Sequence, residues 1–146
     1  IKVSMKDIRI AVVVTHSHVG DTAGNLKRTA SWIKAAASHG AALVCFPELN
    51  LTGYFSGPGI QKYAEPIPGP ASDFVTDIAR KNNITILAGM AESDSLGRIY
   101  AAHIVVQADG TFHTYRKLHL GPPEKELFTP GDHTPLFEIK GSGIAA

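Results

Sequence analysis

A single cysteine, Cys45, is the first constraint in this 146-residue chain. With no partner it forms no intrachain disulfide, and it cannot build a cysteine-cage zinc site. A lone thiol fits a reducing compartment, so a cytoplasmic setting is expected. Charge of one sign is not in excess either: 14 Lys and Arg face 13 Asp and Glu. That balance argues against nucleic acid and anionic membrane as partners, since both require a basic surplus. No apolar run reaches the roughly 18 residues that a membrane helix requires. The first residues lack the basic, apolar, small-residue order of a signal peptide. Seven histidines are present, but they are scattered, without HExxH spacing or supporting acids, so no metal is expected. "THSHVGDTAG" after the first apolar segment supplies no nucleotide-binding glycine fingerprint. Internal repeats and low-complexity tracts are absent.

What is present is the alternation of an α/β chain. Ile8 to Val14 is apolar and β-branched, which predicts a strand covered on both faces. Asp21 or Thr22 can cap a helix over Asn25 to His39, with Gly40 ending it. Ala42 to Phe46 is a second buried strand, so the first 46 residues predict a parallel βαβ unit. A Gly- and Pro-rich loop follows, with one helical turn near Ile60 to Tyr63. Ser72 is the expected cap of a helix over Asp73 to Lys81. Strands are predicted at Ile84 to Ala91, Ile99 to Gln107, Thr111 to Lys117 and Leu136 to Ile139. The "ADG" turn makes the middle pair a hairpin. The fold class is therefore α/β, with six strands and two main helices. Gly141 to Ala146 reads as a turn and the opening of another apolar strand. The chain is accordingly expected to be one incomplete domain, residues 1–146, with Met5 a candidate natural start.

Glu48 closes the second strand, where Pro47 forces the exit. Ligands of α/β sheets gather at the carboxyl ends of parallel strands, and a carboxylate there, among apolar neighbours, is suited to accept a proton. A surface acid would read the same way. Cys45 lies three positions earlier. Strand alternation puts the two on opposite faces unless Pro47 disturbs it, and a cysteine inside an apolar run behaves as a small hydrophobe. Cys45 is therefore not taken as the partner of Glu48. Lys117 ends the fifth strand, where an ammonium can donate to a developing oxyanion. His113, Tyr115 and Lys117 share one face of that strand.

Taken together, "FPELNLTGY" (46–54), "YRKLHL" (115–120) and "EKELFTPGD" (124–132) resemble the nitrilase superfamily, the carbon–nitrogen hydrolases. The order and spacing of the elements agree over essentially the whole chain. The resemblance implies part of an α-β-β-α sandwich. It implies Glu48 as general base, Lys117 as oxyanion stabiliser, and Glu124 as the second glutamate that positions lysine and substrate. The implied nucleophile is a cysteine thiolate, acting on a small amide, N-carbamoyl compound or nitrile without metal or organic cofactor. That cysteine belongs after the sixth strand, so these 146 residues alone are expected to be inactive. A nucleophile-free binding or interaction module of the same fold is the alternative. Tyr54 is read as lining the substrate pocket, against a role plugging the loop onto the core. His119, in the family's Lys-x-His context, is a substrate-binding candidate that could help shape the site, with a structural hydrogen bond the stronger reading. Homo-oligomers are expected.

Overall fold

A computed structural model describes residues 7–55 and 57–139, together with the backbone of 142–145. Met5, Ser56 of the Gly- and Pro-rich loop, Gly141 and Ala146 lie outside the described residues. The strands are β1 (Ile10–Val12), β2 (Leu43–Cys45), β3 (Thr85–Ser93), β4 (Ile99–Val106), β5 (Phe112–Arg116), β6 (Leu136–Ile139) and β7 (Ser142–Ala145). The helices are α1 (Thr22–Ser38) and α2 (Pro70–Asn82). All six expected strands are present, and the segment read as the opening of another strand is the seventh.

Strands β1 to β5 form one sheet in sequence order. The pairs β1–β2 and β2–β3 are parallel; β3–β4 and β4–β5 are antiparallel. One face of the sheet carries Val44, Ile86, Ala88, Met90, Ile104 and Val106. Against it pack Ile33 of α1 and Val75 and Ala79 of α2. The opposite face carries Leu43, Leu87 and Val105, which Phe137 and Ile139 of the β6–β7 hairpin cover. His113 stacks on Phe137 at 5.9 Å. The layers thus run helices, sheet, hairpin, the α-β-β portion of the expected sandwich.

Three local expectations are corrected. β1 is not covered on both faces: it is the sheet's outermost described strand, and Val12 is 76% exposed. Helix α1 starts earlier than Asn25, because the Asp21 carboxylate accepts from the Gly24 amide at 3.0 Å and so caps the first turn. In α2 the cap is Gly69 and not Ser72. Pro70 is pre-set for the first helical position, and Ser72, in the first turn, reaches back to accept from the Gly69 amide at 2.8 Å. Arg80 and Lys81 then sit in the last turn, where cations suit the helix dipole.

Ile86, fully buried between sheet and helices, should be the costlier truncation. Ile86→Ala is expected to lose about 2–5 kcal/mol in urea unfolding, whereas Leu96→Ala, in an exposed turn, stays within about 0.5 kcal/mol.

Candidate active site

Glu48 owes its place to a broken ladder. The Phe46 amide still donates to the Leu87 carbonyl at 2.9 Å, in register with β3. The next bond of a parallel ladder would run from the Gly89 amide to the Phe46 carbonyl. Instead the Gly89 amide donates to the side-chain oxygen of Asn50 at 2.8 Å. Thr52 repeats the device, its hydroxyl accepting from the Ala91 amide at 3.1 Å. Between these two substitutions Leu51 donates to the Gly89 carbonyl at 2.9 Å. The chain meanwhile turns through Leu49, a buried residue in the left-handed region with φ of 54°. Asn25 of α1 fastens the outer side of the loop, donating to the carbonyls of His18 and Leu51.

This turn lies directly on Gly89. A Cβ there would stand 2.4 Å from the Leu49 nitrogen. Leu49 consequently packs with Ala91, Ala101 and Phe128 on the face away from the helices. Glu48 is carried to that face too, so strict alternation from Cys45 does not hold beyond Pro47. Both residues belong to the side that the hairpin covers.

Lys117 arrives from the other edge. Its amide donates to the Ala101 carbonyl, and its carbonyl accepts from Gly131, each at 2.9 Å. Gly131 has to be glycine for this approach, because a Cβ would come within 2.3 Å of the Arg116 carbonyl. The preceding residue, Arg116, points to the helix side. There its guanidinium makes a two-pronged contact with the buried Glu92, Nε to Oε2 at 2.7 Å, and lies 3.8 Å over the Tyr100 ring. Alternation then directs Lys117 to the face of Glu48.

The three charged groups meet there. Lys117 Nζ is 3.1 Å from Glu48 Oε1 and 2.8 Å from Glu124 Oε1. Glu124 opens a short 3-10 turn, Glu124–Glu126, and its second oxygen accepts from the Gly121 amide at 2.7 Å. The hydrogen bond from Lys117, aided by the Gly121 amide, holds the Glu124 carboxyl below its ordinary range against the opposing effect of burial. The same bond, followed by the pull of Glu48, raises the Lys117 ammonium above its ordinary range, although burial works the other way. One cation therefore stands between two carboxylates. Glu124 is nearly buried and already engaged at both oxygens, whereas the Glu48 side chain retains 35% exposure and can meet an incoming group.

The other sequence candidates are not gathered in. Tyr54 is exposed beyond Gly53. His119 is exposed and lines a neighbouring cavity of about 460 Å³ with Leu118, Leu120 and Phe128. Cys45 packs beside Leu43 and Leu87, and burial pushes its thiol up, which is the reverse of activation. Among the described residues no group of three or more His, Cys, Asp or Glu could hold a metal ion. Another hollow, of about 470 Å³ between β1 and α1, contains none of the three charged groups. Sequence reading missed Asn50, Thr52, Gly89 and Gly131. The signal available was polar side chains and a glycine set inside otherwise apolar runs.

Residues 9–146 match the carbon–nitrogen hydrolase family. The chain belongs to that family. It is 35% identical to an (R)-stereoselective amidase from a Pseudomonas species over 125 residues, 86% of this chain and 45% of that protein. It is also 35% identical to a nitrilase from Pyrococcus abyssi over 128 residues, 86% of this chain and 48% of the other. A crystal structure of a carbon–nitrogen hydrolase superfamily protein from Xanthomonas campestris superposes with a TM-score of 0.86 at 26% identity. That superposition covers 97% of this chain and 52% of the other. This carbon–nitrogen hydrolase chain thus spans about half the length of the curated relatives it matches.

Glu124→Gln is expected to lower stability by about 1–2 kcal/mol at pH 7, by loss of a charge-assisted hydrogen bond. Because the carboxyl is held low in the folded state, its contribution is present above the ordinary glutamate range and disappears as pH falls through the lowered folded value. The contribution of Lys117, held high, persists until pH rises beyond the ordinary lysine range. Urea unfolding of both proteins between pH 3 and 8 should therefore give a constant gap near neutrality that narrows towards pH 3.

Proposed function

We propose that this chain supplies the base and oxyanion half of a hydrolase for non-peptide carbon–nitrogen bonds, with a small amide, N-carbamoyl compound or nitrile as substrate. The observation that carries the reading is one ammonium within 3.1 Å of Glu48 and 2.8 Å of Glu124. In this reading Glu48 takes the proton from a cysteine thiol, and the thiolate attacks the carbonyl or nitrile carbon. Lys117 stabilises the negative charge that develops on the former carbonyl oxygen or nitrile nitrogen. Glu48 returns that proton to the departing ammonia or amine, then takes one from the water that cleaves the thioester and hands it back to the cysteine sulfur; a nitrile adduct, a thioimidate, takes up a water before its ammonia leaves. Glu124 keeps the ammonium aimed while its own oxygens stay occupied. In this reading Tyr54 lines the substrate pocket and His119 helps shape it, both from outside the charged cluster. "EKELFTPGD" favours an amidase or carbamoylase over a nitrilase.

Cys45 is not the nucleophile of this scheme. Its packing among aliphatic side chains and its raised thiol support a thiol from outside these 146 residues, which on their own are then inactive. The same observation favours the second reading, a nucleophile-free binding module for the 146 residues alone. Cys45, without a disulfide partner among the described residues, supports a cytoplasmic setting. Self-association is supported by Ile10 and Val12 of β1 and Val14 just after it, all exposed.

The test is ammonia release from a panel of small amides, carbamoyl compounds and nitriles by the product of the intact gene. Glu48→Gln and Lys117→Ala should each cut kcat by at least about 100-fold with unchanged circular dichroism, and Cys45→Ser should remain active. Activity retained in either of the first two variants, or none in the wild type on any of the panel, would overturn the assignment. Size-exclusion chromatography should show a species larger than the monomer; a clean monomer at micromolar concentration would remove the self-association claim.

A further inference from the structure

The ladder break beside Glu48 leaves the Phe46 carbonyl without its strand partner, because the Gly89 amide is taken by Asn50. A buried carbonyl has to find another donor. His103 provides it: Nε2 lies 3.3 Å from the Phe46 oxygen. His103 pairs with Gly89 on one side and Tyr115 on the other, so it lies in the middle of the face to which Lys117 and Glu48 come. Gly89 has no side chain to separate the ring from the turn, and Phe46 precedes Glu48 by only two residues.

We propose that His103 is a positioning residue for Glu48: its Nε2–H holds the Phe46 carbonyl and thereby fixes the turn that aims the carboxylate. The proposal rests on Glu48 being the base. A carbonyl accepts and cannot donate, so the contact requires the proton on Nε2, and Nδ1 is then free of it in the neutral ring. Burial favours that neutral form, opposed by the Phe46 carbonyl and by the negative charge of Glu48. The titratable groups on the same face are Cys45 of β2, Glu48 on the turn, His113 and Tyr115 of β5, Lys117 just after it, and Glu124, which is paired with Lys117. The Cys45 thiol also addresses the Phe46 oxygen, at 3.7 Å, but a sulfhydryl is a weak donor and does not replace the imidazole.

Two measurements on the intact gene product test this. In the first, ¹⁵N-histidine spectra should show His103 protonated on Nε2 at neutral pH. Glu48→Gln should move its titration to lower pH, because the opposing charge is gone, while Asp77→Asn on the helix side leaves it in place. In the second, His103→Phe should lower kcat about 10- to 100-fold with KM nearly unchanged, as expected for a displaced base. His103→Gln, whose amide can donate to the same carbonyl, should restore most of the rate. A proton on Nδ1, a titration indifferent to Glu48→Gln, or His103→Gln as impaired as His103→Phe would each overturn the proposal. If His103→Phe does not fold, the spectra of wild type and Glu48→Gln decide alone. Failure of the functional reading looks different: the wild type is then inactive or Glu48→Gln active, while the spectral coupling of His103 to Glu48 still stands or falls by itself.

Discussion

The arrangement turns on one ammonium shared unequally by two carboxylates. Lys117 could satisfy its charge with Glu124 alone, which is nearer, more buried and clamped by the Gly121 amide. Glu48 is then the surplus anion, near the cation yet 35% exposed. The more exposed carboxylate is the one an incoming group can reach, and the more buried one is the closer partner of the cation. Two like charges near one site are tolerable because the lysine lies between them. The fold's task is to bring the ends of β2 and β5, at different places in the sheet, to that lysine.

Each end is aimed by a device on the backbone. At β5 the two faces of the strand divide the work: Arg116 is locked below by Glu92 and Tyr100, so Lys117 is directed above. At β2 the ladder is abandoned, and Asn50 and Thr52 stand in for the main-chain carbonyls that the β3 amides of Gly89 and Ala91 would otherwise have met. The substitution keeps the buried amides paired while freeing the main chain to fold across Gly89. A strand continued in register would have sent residue 48 to the helix side.

Local pattern carried much of this into the sequence. Apolar runs and turn residues located the strands, and Lys117 and Glu124 were legible because a strand end and a motif mark them. The misjudged parts depend on what lies far away in the chain. Ile8 to Val14 reads as doubly buried, yet β1 is the outermost described strand, and strand order is not a local property. Ser72 is a good cap in isolation, but Pro70 starts the helix before it. The face of Glu48 could not come from alternation, because Gly89, 41 residues later, sets where the turn can lie. Nor does "YRK" reveal which cation is structural until Glu92 is beside one of them.

Leu49 links the chemistry to the interior. Its left-handed backbone is costly for a branched side chain, on the order of 1–3 kcal/mol, and it persists because the leucine is wedged among Ala91, Ala101 and Phe128. The residue next to Glu48 is thus a tensioned peg in the hydrophobic interior. Any loosening of that small apolar nest by heat, cosolvent or a distant cavity would let the peg relax and slew the carboxylate off target. The approach of Glu48 to Lys117 would then be lost well before the polypeptide as a whole came apart.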